Sequence, residues 1–155
     1  MALCRDLLRR GYTVVAVGGA GEEETVARIA SILPGSGARL INAAGRLTLS
    51  QVFALMPRLR LFVANDGGPM HIAAASGVPT LGLFGPEVPW RYLPLNDASL
   101  ALYRGGNLAC SPCSRPYEGA WPTCCRPVCM EAITAADVCR AVDELEGKAA
   151  GGLVH

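Results

Sequence analysis

The chain has 155 residues; 51% are hydrophobic and 17% charged, and the net charge is +1. This length and composition read as one folded domain with its own core and exclude a mostly disordered chain. The near-zero charge gives no field that would attract nucleic acid, so none is expected as a partner. No apolar h-region follows Met1, and no apolar run reaches the ~18 residues of a membrane span. A cytoplasmic location is therefore expected.

Residues 2–10 read as a helix that Gly11 ends. Thr13 to Val17 is a continuous apolar strand closed by Gly18-Gly19-Ala20-Gly21. Glu22, Glu23 and Glu24 open a helix, where acids suit the N-terminal dipole. Val26, Ile29, Ala30 and Leu33 give that helix one apolar face, and Pro34-Gly35-Ser36-Gly37 breaks it. Arg39 to Asn42 is a short strand. Thr48 with Gln51 makes a capping-box pattern at the head of a third helix, which stops near Pro57. Strands follow at 61–64 and 80–84, with a small-residue helix at 69–76 between them, and residues 100–103 suit a last strand. Residues 105–130 are loop-like and rich in Gly, Pro and Cys. Thr134 caps a final helix over 134–146, and residues 149–155 are expected to be a disordered tail.

Strands alternate with helices, and the strands are continuously apolar. That pattern argues for an α/β fold with a Rossmann-like, doubly wound parallel sheet over residues 1–148. A unit of this kind normally opens with a strand, whereas this chain opens with a helix, so the first strand is expected to be missing.

The most informative segment is Asn65-Asp66-Gly67-Gly68-Pro69-Met70-His71. A helix that starts just after a strand, with glycines at its mouth, offers free N–H groups and a positive dipole end to an anion. Gly67 and Gly68 allow a tight turn and close approach of a ligand. Pro69 suits the first helical position, which needs no N–H. His71 either donates to a phosphate or is a buried histidine bonded to a carbonyl. Asp66 either accepts sugar hydroxyls at the strand end or is an N-cap aspartate.

This segment resembles the signature of glycosyltransferase family 9, the ADP-heptose:lipopolysaccharide heptosyltransferases and their relatives. The resemblance continues through Ile72-Ala73-Ala74-Ala75, Gly77-Val78-Pro79-Thr80 and Phe84-Gly85-Pro86. The flanks Val14 to Gly19 and Asn42 to Leu49 are also similar to family segments, as are Cys110-Ser111-Pro112-Cys113, Cys129-Met130 and Ile133-Thr134. It spans about residues 11 to 146. It implies the C-terminal, donor-binding half of a two-domain GT-B-type enzyme that transfers heptose or a related sugar from an ADP-sugar to a lipopolysaccharide-core-type acceptor.

The resemblance places the general base and the acceptor in an N-terminal domain, so no catalytic residue is expected in this chain and the fragment alone is expected to be inactive. It implies donor and phosphate contacts from Asp66, Gly67, Gly68, Met70, His71, Arg46 and Asn42. Glu87, just past Phe84-Gly85-Pro86, is a further candidate for sugar contact. Gly67 stands where many members carry Thr or Ser, and Arg46 where Lys is common. No cofactor is implied for transfer, and the intact enzyme is expected to associate peripherally with the inner membrane. From the residues alone, Asn42 is equally a turn-forming Asn and Arg46 a solvated one. An alternative of another class is a non-catalytic nucleotide-binding or assembly module that needs a partner chain. An epimerase of the same build would need an acid–base set not seen here.

Seven cysteines are many for a reducing compartment. Cys110-x2-Cys113, with Cys124 or Cys125 and then Cys129, has a spacing that tetrahedral zinc could use. Cys110, Cys113, Cys125 and Cys129 are the candidate ligands of a structural zinc. Disulfides and free thiols are the alternatives. Cys4 and Cys139 read as small buried apolar residues.

Overall fold

In the computed structural model, residues 1–33, 39–94, 96–113, 119, 124 and 126–151 are described. The helix break expected at residues 34–37, part of the Cys-rich loop including Cys125, and the last four residues lie outside them. The chain divides into two compact units, Met1–Ala54 and Leu55–His155.

In the first unit, α1 (Ala2–Arg9) ends where Gly11 takes φ 88°, a left-handed conformation that glycine adopts without strain. Strand β1 (Val14–Ala16) leads into α2 (Glu23–Ser31), and β2 (Leu40–Asn42) pairs with β1 in parallel, Val14 opposite Leu40 and Ala16 opposite Asn42. Helices α1 and α2 pack on β1 and β2 respectively. Leu8, Leu33 and Leu40 are buried together, with Cys4, Val14, Ile29 and Ala30 packed against them. Helix α3 (Leu49–Leu55) opens as expected: Gln51 N–H donates to Thr48 Oγ1 at 3.3 Å, and Thr48 N–H to Gln51 Oε1 at 2.9 Å. A 3₁₀ turn, Met56–Arg58, follows at Pro57 and belongs to the second unit.

The second unit holds a three-stranded parallel sheet in the order β3 (Phe62–Asn65), β4 (Thr80–Phe84), β5 (Ser99–Tyr103). Asn65 lies opposite Leu83, and Phe84 opposite Tyr103, so all three strands end at one edge. Helix α4 (Gly68–Ala75) connects β3 to β4, and a one-turn helix α5 (Pro89–Tyr92) lies between β4 and β5. Helix α6 (Val128–Glu131) packs on β4, and α7 (Ala135–Gly151) packs on β4 and β5. Leu81 and Phe84 of β4, Met70 and Ala73 of α4, and Val142 and Leu145 of α7 are buried core residues.

Three expectations need revision. The segment 105–130 contains helix α6, and a further short helix, α5, follows Pro86. The final helix runs past residue 146 to Gly151, so residues 149–151 are helical rather than part of a disordered tail. Alanines and charged residues from 143 to 150 favour helix, and a Lys148–Glu144 pair at 3.3 Å spans one turn. Among the described residues no helix is long and apolar enough to cross a membrane.

Candidate anion and sugar site at the mouth of α4

The two units each contain a strand, a glycine turn and a helix, but the two helix mouths differ. At α2 the protein supplies its own anions. Glu22 Oε2 accepts the Gly19 N–H at 2.7 Å, and Glu23 Oε2 accepts the Gly21 N–H at 2.6 Å. Those carboxylates satisfy the turn and sit at the positive end of the helix.

At α4 the first turn contains no acid, and the N-cap, Gly67, makes no side-chain cap bond. Met70 N–H donates to the Gly67 carbonyl at 3.1 Å and His71 N–H to the same oxygen at 3.4 Å. Pro69 has no N–H. The Gly67 and Gly68 N–H groups have no protein partner among the described residues. An orphan N–H costs free energy unless water or a ligand meets it, so this mouth is open to an anion.

The glycines are not there for the turn. Gly67 has φ 165°, extended backbone that any residue adopts, and Gly68 does not take positive φ. A Cβ at either position would meet nothing within 4 Å. This corrects the expectation of a tight turn: what the missing side chains leave is open space before the helix. Pro69 is the second helical residue rather than the first, a position that also needs no N–H partner.

Asp66 lies one residue past β3, and its own N–H donates to Leu83 O at 3.1 Å. Its carboxylate caps nothing, because Gly67 holds the N-cap position. Burial pushes the Asp66 carboxyl above its ordinary value; His71 pulls it back, and Glu87 pushes it further up. Asp66 thus feels both His71 and Glu87 at one edge of the sheet. Asp66 and Glu87 are half-buried, whereas His71 is exposed, which rules out the buried histidine bonded to a carbonyl.

Met70 is a correction. It has no exposed surface, and its side chain packs toward Gly82, where an added Cβ would come 2.7 Å from the Met70 Sδ. The side chain belongs to the core and does not reach a donor. Met70, Ala73 and Ala74 form the buried face of α4 at helical spacing, and His71 falls outside that face and is exposed.

Asn42 and Arg46 belong to the first unit. Asn42 Nδ2 donates to Glu23 O at 3.2 Å, and its Oδ1 accepts the Ala44 N–H at 3.1 Å, so the amide is engaged in the turn at both ends. Arg46 is exposed, and its guanidinium has no partner among the described residues. Gly45, between them, has φ 65°, and a Cβ there would collide with the Glu23 carboxylate.

Of the candidate zinc ligands, Cys110 is exposed, Cys113 half-buried and Cys129 buried, while Cys125 lies outside the described residues. Burial raises the Cys113 thiol above its ordinary value, and the neighbouring thiols of Cys124, Cys129 and Cys110 raise it further. Among the described residues, no group of three or more His, Cys, Asp or Glu side chains is placed to hold a metal ion.

A family model, Glycosyltransferase family 9 (heptosyltransferase), matches residues 1–118. The chain belongs to glycosyltransferase family 9. Among family relatives, Lipooligosaccharide heptosyltransferase 2 of Haemophilus influenzae is 35% identical over 96 residues, covering 61% of this chain and 28% of that protein. Lipopolysaccharide heptosyltransferase 1 of Pseudomonas aeruginosa is 36% identical over 124 residues, covering 78% of this chain and 32% of that protein. Among solved structures, E. coli ADP-heptose lps heptosyltransferase II superposes with a TM-score of 0.73 at 27% identity, over 92% of this chain and 39% of that one. The chain therefore spans well under half the length of these family 9 relatives, and its α/β architecture with parallel sheets is a fragment of their GT-B-type fold.

One side chain at this edge has no counterpart in the sequence reading. Trp90, on α5 just after β4, is 76% exposed and lies edge-on to Tyr103 of β5, with ring centroids 6.1 Å apart. The signal for it was its position, four residues past the Phe84-Gly85-Pro86 turn at a strand's carboxyl end.

Proposed function

We propose that this chain is the donor-binding half of a glycosyltransferase that moves heptose, or a related sugar, from an ADP-sugar to a lipopolysaccharide-core-type acceptor. The observation that carries this reading is the open mouth of α4: two unpartnered N–H groups, an exposed His71 and no acid in the first turn. It lies within the residues that match family 9, and relatives named as heptosyltransferases support the sugar class.

In this reading the diphosphate sits over the Gly67 and Gly68 N–H groups. His71 donates to a phosphate oxygen as the bond to the sugar breaks. Stabilisation of charge that develops on the leaving group is the largest single contribution such a site can make, and losing one donor commonly costs ~10²–10³ in rate. Asp66 and Glu87 would repel a diphosphate directly, so they face the sugar and accept its hydroxyls. A phosphate contact from Arg46, a residue of the first unit, is proposed from the family resemblance alone. The base that deprotonates the acceptor hydroxyl, and the acceptor itself, are assigned to a part of the protein beyond these 155 residues. Transfer by this route needs no metal or other cofactor. On this reading the intact enzyme works in the cytoplasm and associates peripherally with the inner membrane.

The test is calorimetric titration of the chain with ADP, with and without His71→Ala. A hydrogen bond to a charged group contributes about 1.5–3 kcal/mol, so the variant should bind ADP roughly tenfold or more weakly while its melting curve stays put. Equal affinity in the two proteins would remove His71 from the site.

A further inference from the structure

We propose that Trp90 is a stacking platform for the sugar ring, held in place by Tyr103 and flanked by the carboxylates of Glu87 and Asp66. The inference rests on the donor-site reading above and names the group that recognises the sugar within it.

Three observations place the platform. The first is the edge. Strands β3, β4 and β5 run parallel and in register, so Asp66, the turn after Phe84, and Tyr103 all stand at their carboxyl ends. Open α/β sheets bind ligands outside that end. Trp90 follows β4 there, three residues after Glu87, which in turn lies close enough to Asp66 to raise its carboxyl.

The second is exposure. Trp90 is 76% exposed, more than any other large apolar side chain described. A tryptophan left in water forgoes the burial that would stabilise the fold, so packing of the core does not account for it.

The third is rigidity. The indole and the Tyr103 ring meet at 86°, the edge-to-face arrangement favoured by the ring quadrupoles. Tyr103 is held in turn: its phenol oxygen and Ser111 Oγ lie 2.7 Å apart in a hydrogen bond. Gly105 makes room for that pair, because a Cβ there would stand 2.5 Å from the Tyr103 phenol oxygen. A fixed aromatic loses little conformational freedom when a ligand covers it. One edge contact at this exposure leaves an indole face open.

An electron-rich ring face on the same sheet edge as two carboxylates matches the chemistry of a sugar. The C–H face of a pyranose lies on the indole, and its hydroxyls donate to Glu87 and Asp66. A diphosphate would be repelled by that pair of acids and belongs to the open mouth of α4.

The chain has two tryptophans, Trp90 and Trp121. A Trp121→Phe protein makes Trp90 the sole indole fluorophore. ADP-heptose should quench or shift its emission, and ADP alone should leave it unchanged. In calorimetry, Trp90→Ala should weaken ADP-heptose binding about two- to tenfold, the range expected for one aromatic contact, and leave ADP binding within error. Trp90→Phe should recover part of the ADP-heptose affinity, and ADP affinity unchanged in both variants separates a sugar contact from a merely structural role.

An equal response of Trp90 to ADP and to ADP-heptose, or an equal loss of both affinities in Trp90→Ala, would overturn the inference and assign the indole to the adenine. ADP binding with no effect of Trp90→Ala on either ligand overturns the inference and leaves the donor site standing. Failure of the wild-type chain to bind either ligand overturns both.

Discussion

Alanine placed at Gly82 and at Gly67 should have opposite consequences, and the structure says why. At Gly82 a Cβ would stand 2.7 Å from Met70 Sδ and 2.7 Å from a ring carbon of Phe84. Ordinary contact between such atoms is ~3.5–4.0 Å. Met70 and Phe84 both have 0% exposure, so neither can swing into water to make room. Overpacking of this kind costs ~1–3 kcal/mol. The flexible methionine absorbs part of it, and replacing glycine stabilises by about 0.4–1 kcal/mol through the unfolded chain. The net expectation for Gly82→Ala is a loss of about 1–2 kcal/mol, or roughly 2–8 °C in melting temperature for a chain of this size.

Met70 is also the third residue of α4, so its displacement should disturb the helix mouth and weaken ADP binding secondarily. At Gly67 a Cβ meets nothing and the backbone is extended, so Gly67→Ala should leave stability within ~0.5 kcal/mol. It should nonetheless weaken ADP binding, because the methyl would stand in the open space before the helix. Thermal melts and calorimetry on the two variants separate packing from ligand contact. A Gly82→Ala protein as stable as wild type would refute the packing argument. A Gly67→Ala protein with undiminished affinity would refute the claim that this space receives the ligand.

Asp66→Asn should raise stability at neutral pH and lower affinity for a nucleotide-sugar. Burial lifts the Asp66 carboxyl above its unfolded value, so its ionised form opposes folding as pH rises through and above that range. The stability difference should vanish at pH values below the ordinary carboxylate range, and a constant offset across pH would refute the assignment. Asp137 behaves oppositely. The Thr134 N–H, then its hydroxyl and Arg104, hold it down to about 2. Its stabilisation is therefore complete above the unfolded value and lost as pH falls toward 2; Asp137→Asn should flatten that acid limb in a pH series of melts. Thr134→Ala removes the reciprocal cap of α7, in which Asp137 N–H donates to Thr134 Oγ1 at 3.1 Å, and should cost about 0.5–2 kcal/mol in a denaturant titration.

The sequence made the strands, and helices such as α2 and α4, readable to within a residue or two, whereas α7 runs five residues past its expected end. β4 is Thr80–Phe84, as the apolar run suggested, and the Thr48–Gln51 box does open α3. Helices α5 and α6 were not readable, because single turns in Pro- and Cys-rich stretches have no room for periodicity. Met70 could have been placed: with Ala73 and Ala74 it forms an i, i+3, i+4 set, the pattern of a buried face. Its position beside His71 in the family signature drew it toward the site instead.

The difference between the two helix mouths was only half legible. The acids after Gly21 were visible in the sequence, but the bonds from Gly19 and Gly21 N–H groups to Glu22 and Glu23 close that turn only in three dimensions. Trp90 was passed over because nothing in linear spacing places residue 90 beside residue 103.

On the proposed reading, the mouth of α4 receives the diphosphate of a nucleotide donor. The most direct measurement of this is an ADP titration of the isotope-labelled chain, followed at the backbone amides. Saturable shifts are expected at Gly67, Gly68 and His71 in the millimolar range or below. Those three amides unmoved at millimolar ADP would contradict it.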